Sequence, residues 1–170
     1  ADPTWVAFNR YGGASLYGSF TTLGGAAGGG GAANIRTRAF KVSYNRPLDR
    51  DGALTEQFFN SEYPLVRWLE RNGYDVTYMA GVDADRSGER IRQHKVFVSA
   101  GHDAYWSDAQ RRHVEAARDA GVHLAFMGGG VSFWRSRYET SIDGTNTPYR
   151  TLVSYKESLS DGKLDPVKEE

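Results

Sequence analysis

The stretch KVFVSAGHDAYWSDAQRRHVEAARDAGVHLAFMGGG, residues 95–130, decides the fold that we predict for this chain. It opens with the nearly continuous apolar run KVFVSAG, which is typical of a strand buried on both faces. Ser107 then starts a helix as its N-cap, Gln110 completes the capping-box spacing, and Gly121 ends the helix. The run VHLAFMG follows as a second buried strand. A strand, a helix and a strand in this order predict a parallel sheet with helices on its faces.

Further helix and strand patterns lie on both sides of this unit. Partly alternating β-branched and aromatic residues predict strands, and apolar residues at helical spacing predict helices. The predicted strands are TWVAFN (4–9), RAFKVSYN (38–45), YDVTYMAG (74–81) and RTLVSYK (150–156). The predicted helices are NSEYPLVRWLERNG (60–73), with Leu65, Trp68 and Leu69 on one face, a short weak helix at 83–93, and a helical turn at 131–139.

The alternation predicts a single α/β domain over residues 1–170, built on a mostly parallel sheet. We expect strands at 76–79, 95–99 and 123–127 to be near neighbours, with side chains packed on the sheet from Leu65, Trp68, Val114 and Ala117. Residues 24–33 contain only Gly and Ala, so we expect a flexible loop there. The polar C-terminal stretch suggests a piece of a longer protein.

The amino-acid composition argues against some classes of binding partner and excludes some kinds of chemistry. Lys and Arg number 21, and Asp and Glu also number 21, so the formal net charge is +0. This balance argues against a nucleic-acid partner and against binding to an anionic membrane. The chain has no Cys, which excludes disulfides, thiolate nucleophiles and zinc–thiolate sites within it.

Two loops that follow buried strands are the candidate site: the first loop is GHDAYW (101–106) and the second loop is GGGVSFW (128–134). Ligands of parallel α/β sheets bind at the carboxyl ends of the strands. In the first loop, His102 is the candidate general acid–base, or else it only caps the strand end. Asp103 either orients His102 or caps the following helix. Trp106 and Trp134 either line an aromatic pocket or belong to the core.

The glycines of the second loop exclude two common catalytic motifs. The sequence at 128–131, GGGV, has neither dinucleotide-binding nor Walker spacing. Gly129 and Gly130 also stand where a nucleophile elbow needs Ser or Cys. Elsewhere, Tyr11 and Tyr44 each precede a turn of the chain, and phenolate oxygen suits a hard cation such as ferric iron. With ten Tyr in the chain, such a pairing also arises by chance.

Several motifs, in order and with matching spacing, resemble one family over nearly the whole chain. They are FNRYGGASLY, KVSYNRP, EYPLVRWLERNGYDVTY, FVSAGHDAYWS, VEAARDAGVHLAFMGGGVSFWRSRYE and SIDGTNTPYRTLVSYKE. Together they resemble the C-terminal domain of the N,N-dimethylformamidase large (beta) subunit family. The resemblance implies a flavodoxin-like fold, similar to class I glutamine amidotransferases.

The resemblance also implies a mononuclear iron held by two tyrosines and one glutamate. The tyrosines correspond to Tyr11, whose motif also contains Tyr17, and to Tyr44. The family motif Gly-His-Asp-Glu-Tyr-Trp places its histidine at His102 and its glutamate ligand at Ala104. The family usually has Asn where this chain has Gly130.

Ala104 therefore stands where the resemblance implies a metal-binding carboxylate. A methyl group cannot coordinate iron, so we expect iron to bind weakly or not at all. The leading interpretation is an amidohydrolase-type domain that acts on a small amide and associates with other domains or subunits. The alternative is a non-catalytic binding or structural module that keeps the fold and has lost the metal site. This chain lacks both the Glu and the Asn that the resemblance implies, at positions 104 and 130. The absence of both argues against a single engineered substitution as the cause.

Overall fold

The computed structural model describes residues 2–7, 14–19, 38–46, 54–157 and 163–167. The helices are α1 (Asp2–Ala7), α2 (Tyr63–Arg71), α3 (Gly81–Ser87) and α4 (Asp108–Asp119), with a π-helical segment Leu54–Glu62 and a 3-10 helix Gly88–Gln93. The strands are β1 (Ala14–Ser15), β2 (Gly18–Ser19), β3 (Lys41–Ser43), β4 (Val96–Ala100), β5 (Tyr105–Ser107), β6 (His123–Met127), β7 (Trp134–Glu139) and β8 (Thr151–Val153). Tyr11 and the predicted loop at 24–33 lie outside the described residues. Within those residues, no helix has the length and apolar character needed to cross a lipid bilayer.

The main sheet is mixed. It has four strands in the order β3–β8–β7–β5, in which β8 runs antiparallel to both neighbours and β5 runs parallel to β7. β4 and β6 form a separate parallel pair, and β1 and β2 form an antiparallel pair. The α/β class is confirmed, but the prediction of a mostly parallel sheet is wrong for the main sheet. The short connection from β7 to β8 reverses the chain, and only an antiparallel pair accepts such a connection.

The central β4–α4–β6 unit matches its prediction. Ser107 Oγ accepts a hydrogen bond of 3.0 Å from the backbone N–H of Gln110, which caps α4. Val114 and Ala117 of α4 are buried in a cluster that we call the helix-side cluster, whose other buried members are Ile91, Trp106 and Val122. The pair β4–β6 aligns Val98 with Ala125.

Burial around β4 and α2 is lower than predicted. Val96 and Val98 are 47% and 38% exposed, so β4 is not buried on both faces. Phe97, which points to the opposite face, packs on the helix-side cluster. Helix α2 has no buried residue, and Trp68 is 52% exposed and stacks on Tyr74 instead of the sheet. Among the residues that the structure describes, only one face of the β4–β6 pair is covered, so these predictions fail.

Three segments take a different structure from the predicted one. The segment predicted as a strand at 4–9 forms α1 over its described part, since Asp2 and Pro3 favour a helix start more than the following residues favour a strand. The predicted helical turn at 131–139 contains the strand β7, in which Trp134, Ser136 and Tyr138 alternate with charged residues. The strand predicted at 74–81 does not form, because residues 74–80 take no regular secondary structure and Gly81 begins α3.

A second cluster, the sheet-side cluster, joins α1 to the main sheet. Its buried members are Val6, Ala7, Leu16, Val42, Ala104, Tyr105 and Leu152. Neighbours in β5 point to different clusters, because side chains alternate along a strand: Tyr105 enters the sheet-side cluster and Trp106 the helix-side cluster. The candidate site residues are therefore divided between two sides of the sheet.

Candidate functional site

The two predicted loops lie side by side and touch along their backbones. A Cβ built on Gly128 would lie 1.9 Å from the carbonyl oxygen of Gly101, so no side chain fits at that crossing. Next along the loops, the N–H of Ser132 donates to the carbonyl of Asp103 at 2.9 Å. The N–H of Trp134 donates to the carbonyl of Ala104 at 2.7 Å. These bonds continue the β5–β7 pairing and hold the first loop against the second.

His102 and Asp103 take opposite positions in the first loop. His102 is exposed, whereas Asp103 is buried and accepts a hydrogen bond of 2.8 Å from Ser99 Oγ on β4. Asp103 does not cap α4, because Ser107 is the N-cap residue. The buried carboxylate thus ties the loop to the strand that precedes it. The acid–base role of His102 stays a prediction.

Ala104 is enclosed by the sheet-side cluster. The residue is only 9% exposed, and its backbone N–H donates to Thr4 Oγ1 at 3.3 Å. Tyr44 and Trp134 pack against the same cluster. Three residues that the sequence assigned to the site, Tyr44, Ala104 and Trp134, therefore meet around one apolar cluster.

Tyr44 is held as a neutral phenol. Its hydroxyl donates to Asp2 Oδ2 at 3.0 Å, and its ring lies 6.3 Å from that of Tyr138. Burial, followed by the negative charge of Asp2, raises the pKa of Tyr44 far above the usual value for tyrosine. At neutral pH this side chain offers a hydroxyl group and not a phenolate.

Two acids that sequence reasoning missed lie beside these residues. Asp2 binds Tyr44 as described, and Glu62 Oε1 accepts a hydrogen bond of 3.2 Å from Trp5 Nε1. A Cβ built on Gly101 would lie 2.7 Å from Glu62 Cγ, so the Glu62 side chain lies against the first loop. Burial raises the pKa of Glu62. In the sequence, both acids looked like ordinary acidic residues at helix starts.

The remaining predicted pocket residues lie elsewhere. Trp106 is buried in the helix-side cluster, with its ring 6.3 Å from that of Phe97. Gly130 is exposed, has a φ of +67°, and has open space where a Cβ would point. Tyr11 is outside the described residues. The structure therefore does not place Trp106 or Gly130 beside Tyr44.

A cavity of about 550 Å³ opens between the start of α4 and β7. Its lining includes Ser107, Asp108, Ser136 and Tyr138. Acidic and basic side chains both line it, so the cavity shows no strong preference for one sign of charge. Tyr138 connects this cavity to the cluster that contains Ala104.

The donor atoms around Ala104 do not fit an iron site of two tyrosinates and one carboxylate. Position 104 offers a methyl group where such a site needs a carboxylate, and the Tyr44 hydroxyl is already bonded to Asp2. Over the parts of the chain that the structure describes, no group of three or more His, Asp or Glu side chains is arranged to hold a metal ion. The fit fails at position 104, where the carboxylate donor is missing.

Comparison with known proteins gives one result. Residues 1–169 match the family described as "N,N-dimethylformamidase beta subunit-like, C-terminal". No curated protein and no solved structure gives a significant match. The family match spans almost all of the chain, including both loops.

Proposed function

The chain belongs to the N,N-dimethylformamidase beta subunit-like, C-terminal family, and from this premise we propose that it is an amidohydrolase-type domain for the C–N bond of a small amide. The family match over residues 1–169 is the observation that carries this proposal. We also infer a flavodoxin-like core, as in class I glutamine amidotransferases. The parallel β4–β6 pair with α4 between its strands in the chain supports that inference.

The loop residues suggest how such a domain would handle protons. His102 is exposed, so solvent and a small substrate can reach it, and an imidazole ring can both accept and donate a proton. Asp103 positions this loop through its bond to Ser99. Glu62 lies against the same loop, and its raised pKa suits a second proton donor. Trp134 supplies an apolar wall beside Ala104.

We propose that, as it stands, the chain binds iron weakly or not at all and hydrolyses amides slowly. The substitution at position 104 removes a charged ligand and leaves a methyl group in an apolar cluster. This same burial favours the second candidate function, a binding or structural module that keeps the fold without catalysis. The two functions differ in whether a restored carboxylate recovers metal binding.

The test is iron content per chain in Ala104→Glu, with Ala104→Gln as the matched control. Glutamine has nearly the size of glutamate but lacks its charge, so it separates ligand chemistry from packing. We expect more iron and visible tyrosinate-to-iron absorbance in Ala104→Glu, and neither in Ala104→Gln. Amide hydrolysis should rise in the first variant only, and less than iron does, because Gly130 still lacks a polar side chain.

Three outcomes of this test distinguish the two candidate functions and check the ligand assignment. Iron and hydrolysis that both rise in Ala104→Glu support the amidohydrolase proposal. Iron that rises without hydrolysis supports the non-catalytic module. Folded Ala104→Glu protein that stays free of iron contradicts the assignment of Tyr11 and Tyr44 as ligands. Circular dichroism of both variants establishes that they are folded.

A further inference from the structure

The cavity between the start of α4 and β7 has no part in the proposed amide hydrolysis. Its volume of about 550 Å³ lies in the range of about 300–1,000 Å³ that is usual for small-molecule sites. Four elements contribute to its walls: Asp85 of α3, Arg112 of α4, Arg137 of β7 and Tyr149 of the connection between β7 and β8. The cavity therefore has room for a small organic ligand.

The two arginines that line the cavity already have carboxylate partners. Arg112 forms an ion pair with Asp108, one turn earlier on α4. Arg137 Nη2 lies 2.8 Å from Glu139 Oε1, and Arg137 Nη1 contacts Asp165. An anion that entered the cavity would have to compete with these acids for both guanidinium groups, so the lining does not favour an anion.

Asp85 is the acid of the lining that these ion pairs leave over. It is half-buried, and in the part of the chain that the structure describes its carboxylate has no hydrogen bond or ion pair. By contrast, Asp83 on the same helix pairs with Arg86 at 2.9 Å. Burial and then the charge of Asp2 raise the pKa of Tyr138, and the negative charge of Asp85 adds to this rise. Although the charges of the whole lining nearly balance, one carboxylate that acts on the cavity therefore lacks a positive partner.

Two tyrosine rings form an aromatic wall of the cavity. The ring centroids of Tyr138 and Tyr149 lie 5.9 Å apart, with the ring planes at 56°. Tyr149 has a φ of +61°, which a bulky side chain rarely adopts. The next N–H along the chain, that of Arg150, donates to the carbonyl of Glu139 at 3.1 Å and holds the connection against β7 in this conformation. The Tyr149 ring is thus fixed beside Tyr138.

We propose that this cavity binds a small organic ammonium ion, with its N–H groups on the Asp85 carboxylate and its hydrocarbon part against the rings of Tyr138 and Tyr149. An ammonium group donates charge-assisted hydrogen bonds to a carboxylate, and ring faces attract cations. One free carboxylate does not supply the several oxygen ligands that a magnesium or calcium ion needs. This inference does not rest on amide hydrolysis, although Tyr138 also packs against the sheet-side cluster.

The probe is benzylammonium chloride, titrated into the whole chain at neutral pH by calorimetry and by thermal denaturation. Sodium chloride keeps the ionic strength constant. Benzyl alcohol has nearly the same shape without the charge, and magnesium chloride supplies a metal cation. Because a ligand that binds only the folded protein stabilises it by mass action, we expect a saturable rise in the melting temperature with benzylammonium alone.

The first variant is Asp85→Asn, which keeps the size of the side chain and removes its negative charge. We expect its benzylammonium affinity to fall at least about tenfold, as loss of a charge-assisted hydrogen bond predicts. Asp119→Asn is the matched control, because Asp119 lies at the other end of α4, is exposed and pairs with Arg118. It should bind benzylammonium like the parent chain.

The second variant is Tyr149→Gly, which removes the ring of the aromatic wall. Glycine adopts a positive φ without strain, so the connection should keep its conformation and the protein should fold. We expect the benzylammonium affinity to fall at least about threefold, as loss of one ring contact to a cation predicts. Circular dichroism of all three variants establishes that they are folded.

Saturable benzylammonium binding that Asp85→Asn and Tyr149→Gly weaken and Asp119→Asn keeps would support the proposal. A benzylammonium response no larger than that of sodium chloride would overturn it, as would equal binding of benzyl alcohol. An unchanged affinity in folded Asp85→Asn or Tyr149→Gly, or an equal loss in Asp119→Asn, would also contradict it. So would magnesium binding without benzylammonium binding.

Discussion

The hydroxyl of Tyr44 donates a hydrogen bond to Asp2 Oδ2 at 3.0 Å, which links the residue after β3 to the start of α1. Asp2 also accepts from the backbone N–H of Gly81 at the start of α3. One carboxylate thus joins three parts of the chain. At a position where the family resemblance implies a metal ligand, this chain has a neutral phenol engaged in holding the fold.

Tyr44→Phe should destabilise the protein by about 1 kcal/mol, the net contribution of one hydrogen bond. The ring stays in place, so the loss reports the bond to Asp2. Tyr74→Phe is the control, since Tyr74 is exposed, and it should change stability little. Urea denaturation measures both. Equal effects of the two variants would show that the bond to Asp2 contributes nothing.

Gly128→Ala should destabilise the protein by about 2 kcal/mol or more, as overpacking does. The new Cβ would lie 1.9 Å from the carbonyl oxygen of Gly101, and two backbones cannot yield as a flexible side chain would. Gly129→Ala is the neighbouring control, because nothing lies within 4 Å of its Cβ position. Thermal denaturation of the two variants compares them. If Gly128→Ala matched the control, the close contact of the loops would be incorrect.

Ser107→Ala should cost about 1 kcal/mol, because it removes the N-cap acceptor of α4. Ser87→Ala is the control, since Ser87 precedes the 3-10 helix without a capping side-chain bond. Far-ultraviolet circular dichroism during urea denaturation follows both. A larger loss in Ser87→Ala would contradict the assigned cap.

Lys156→Met should be more stable than the parent chain near pH 6.5, and this advantage should shrink by pH 9.5. Lys156 is 5% exposed, and burial, followed by the positive charge of Arg38, lowers its pKa to about 7 in the folded chain, below the unfolded value of 10.5. The unfolded chain therefore binds more protons between these values. Parent stability therefore rises with pH over this window, and the cost of charging the buried amine is fully present below it. The effect is on the order of a few kcal/mol, at about 1.4 kcal/mol for each pKa unit.

Denaturant titrations at both pH values test this expectation. Lys95→Met is the control, since Lys95 is exposed, and it should keep the pH dependence of the parent chain. A stability difference between Lys156→Met and the parent that does not change with pH would mean that Lys156 is not buried as described.

Parts of the fold were predictable because their signals are local. The cap at Ser107, the turn at Gly121 and the apolar runs on either side identify β4, α4 and β6 from neighbouring residues alone. The strand β7 also has a local signal, since Trp134, Ser136 and Tyr138 alternate with charged residues, so the helical turn predicted at 131–139 is wrong. The helix α1 was missed because a segment this short has little periodicity, so the helix-start residues Asp2 and Pro3 decided it.

The candidate site was predictable only in part. Strand-end position brought the two loops together correctly, and the family motif singled out Ala104. Sequence could not show that Trp106 faces a different cluster from Tyr105, because alternation gives opposite faces without saying what covers each. It also gave no reason to choose Asp2 or Glu62 from among the other acids.

By itself, the sequence determined the α/β class, the family, the central strand–helix–strand unit and the methyl group at position 104. The tertiary structure alone decided the mixed sheet, the Tyr44–Asp2 bond and the meeting of Arg38 with Lys156, which are 118 positions apart in the chain. Caps, turns and periodicity arise from interactions between residues a few positions apart, so a short stretch of sequence is enough to predict them. Contacts between distant residues depend on how all the elements pack together, and no single stretch contains that information.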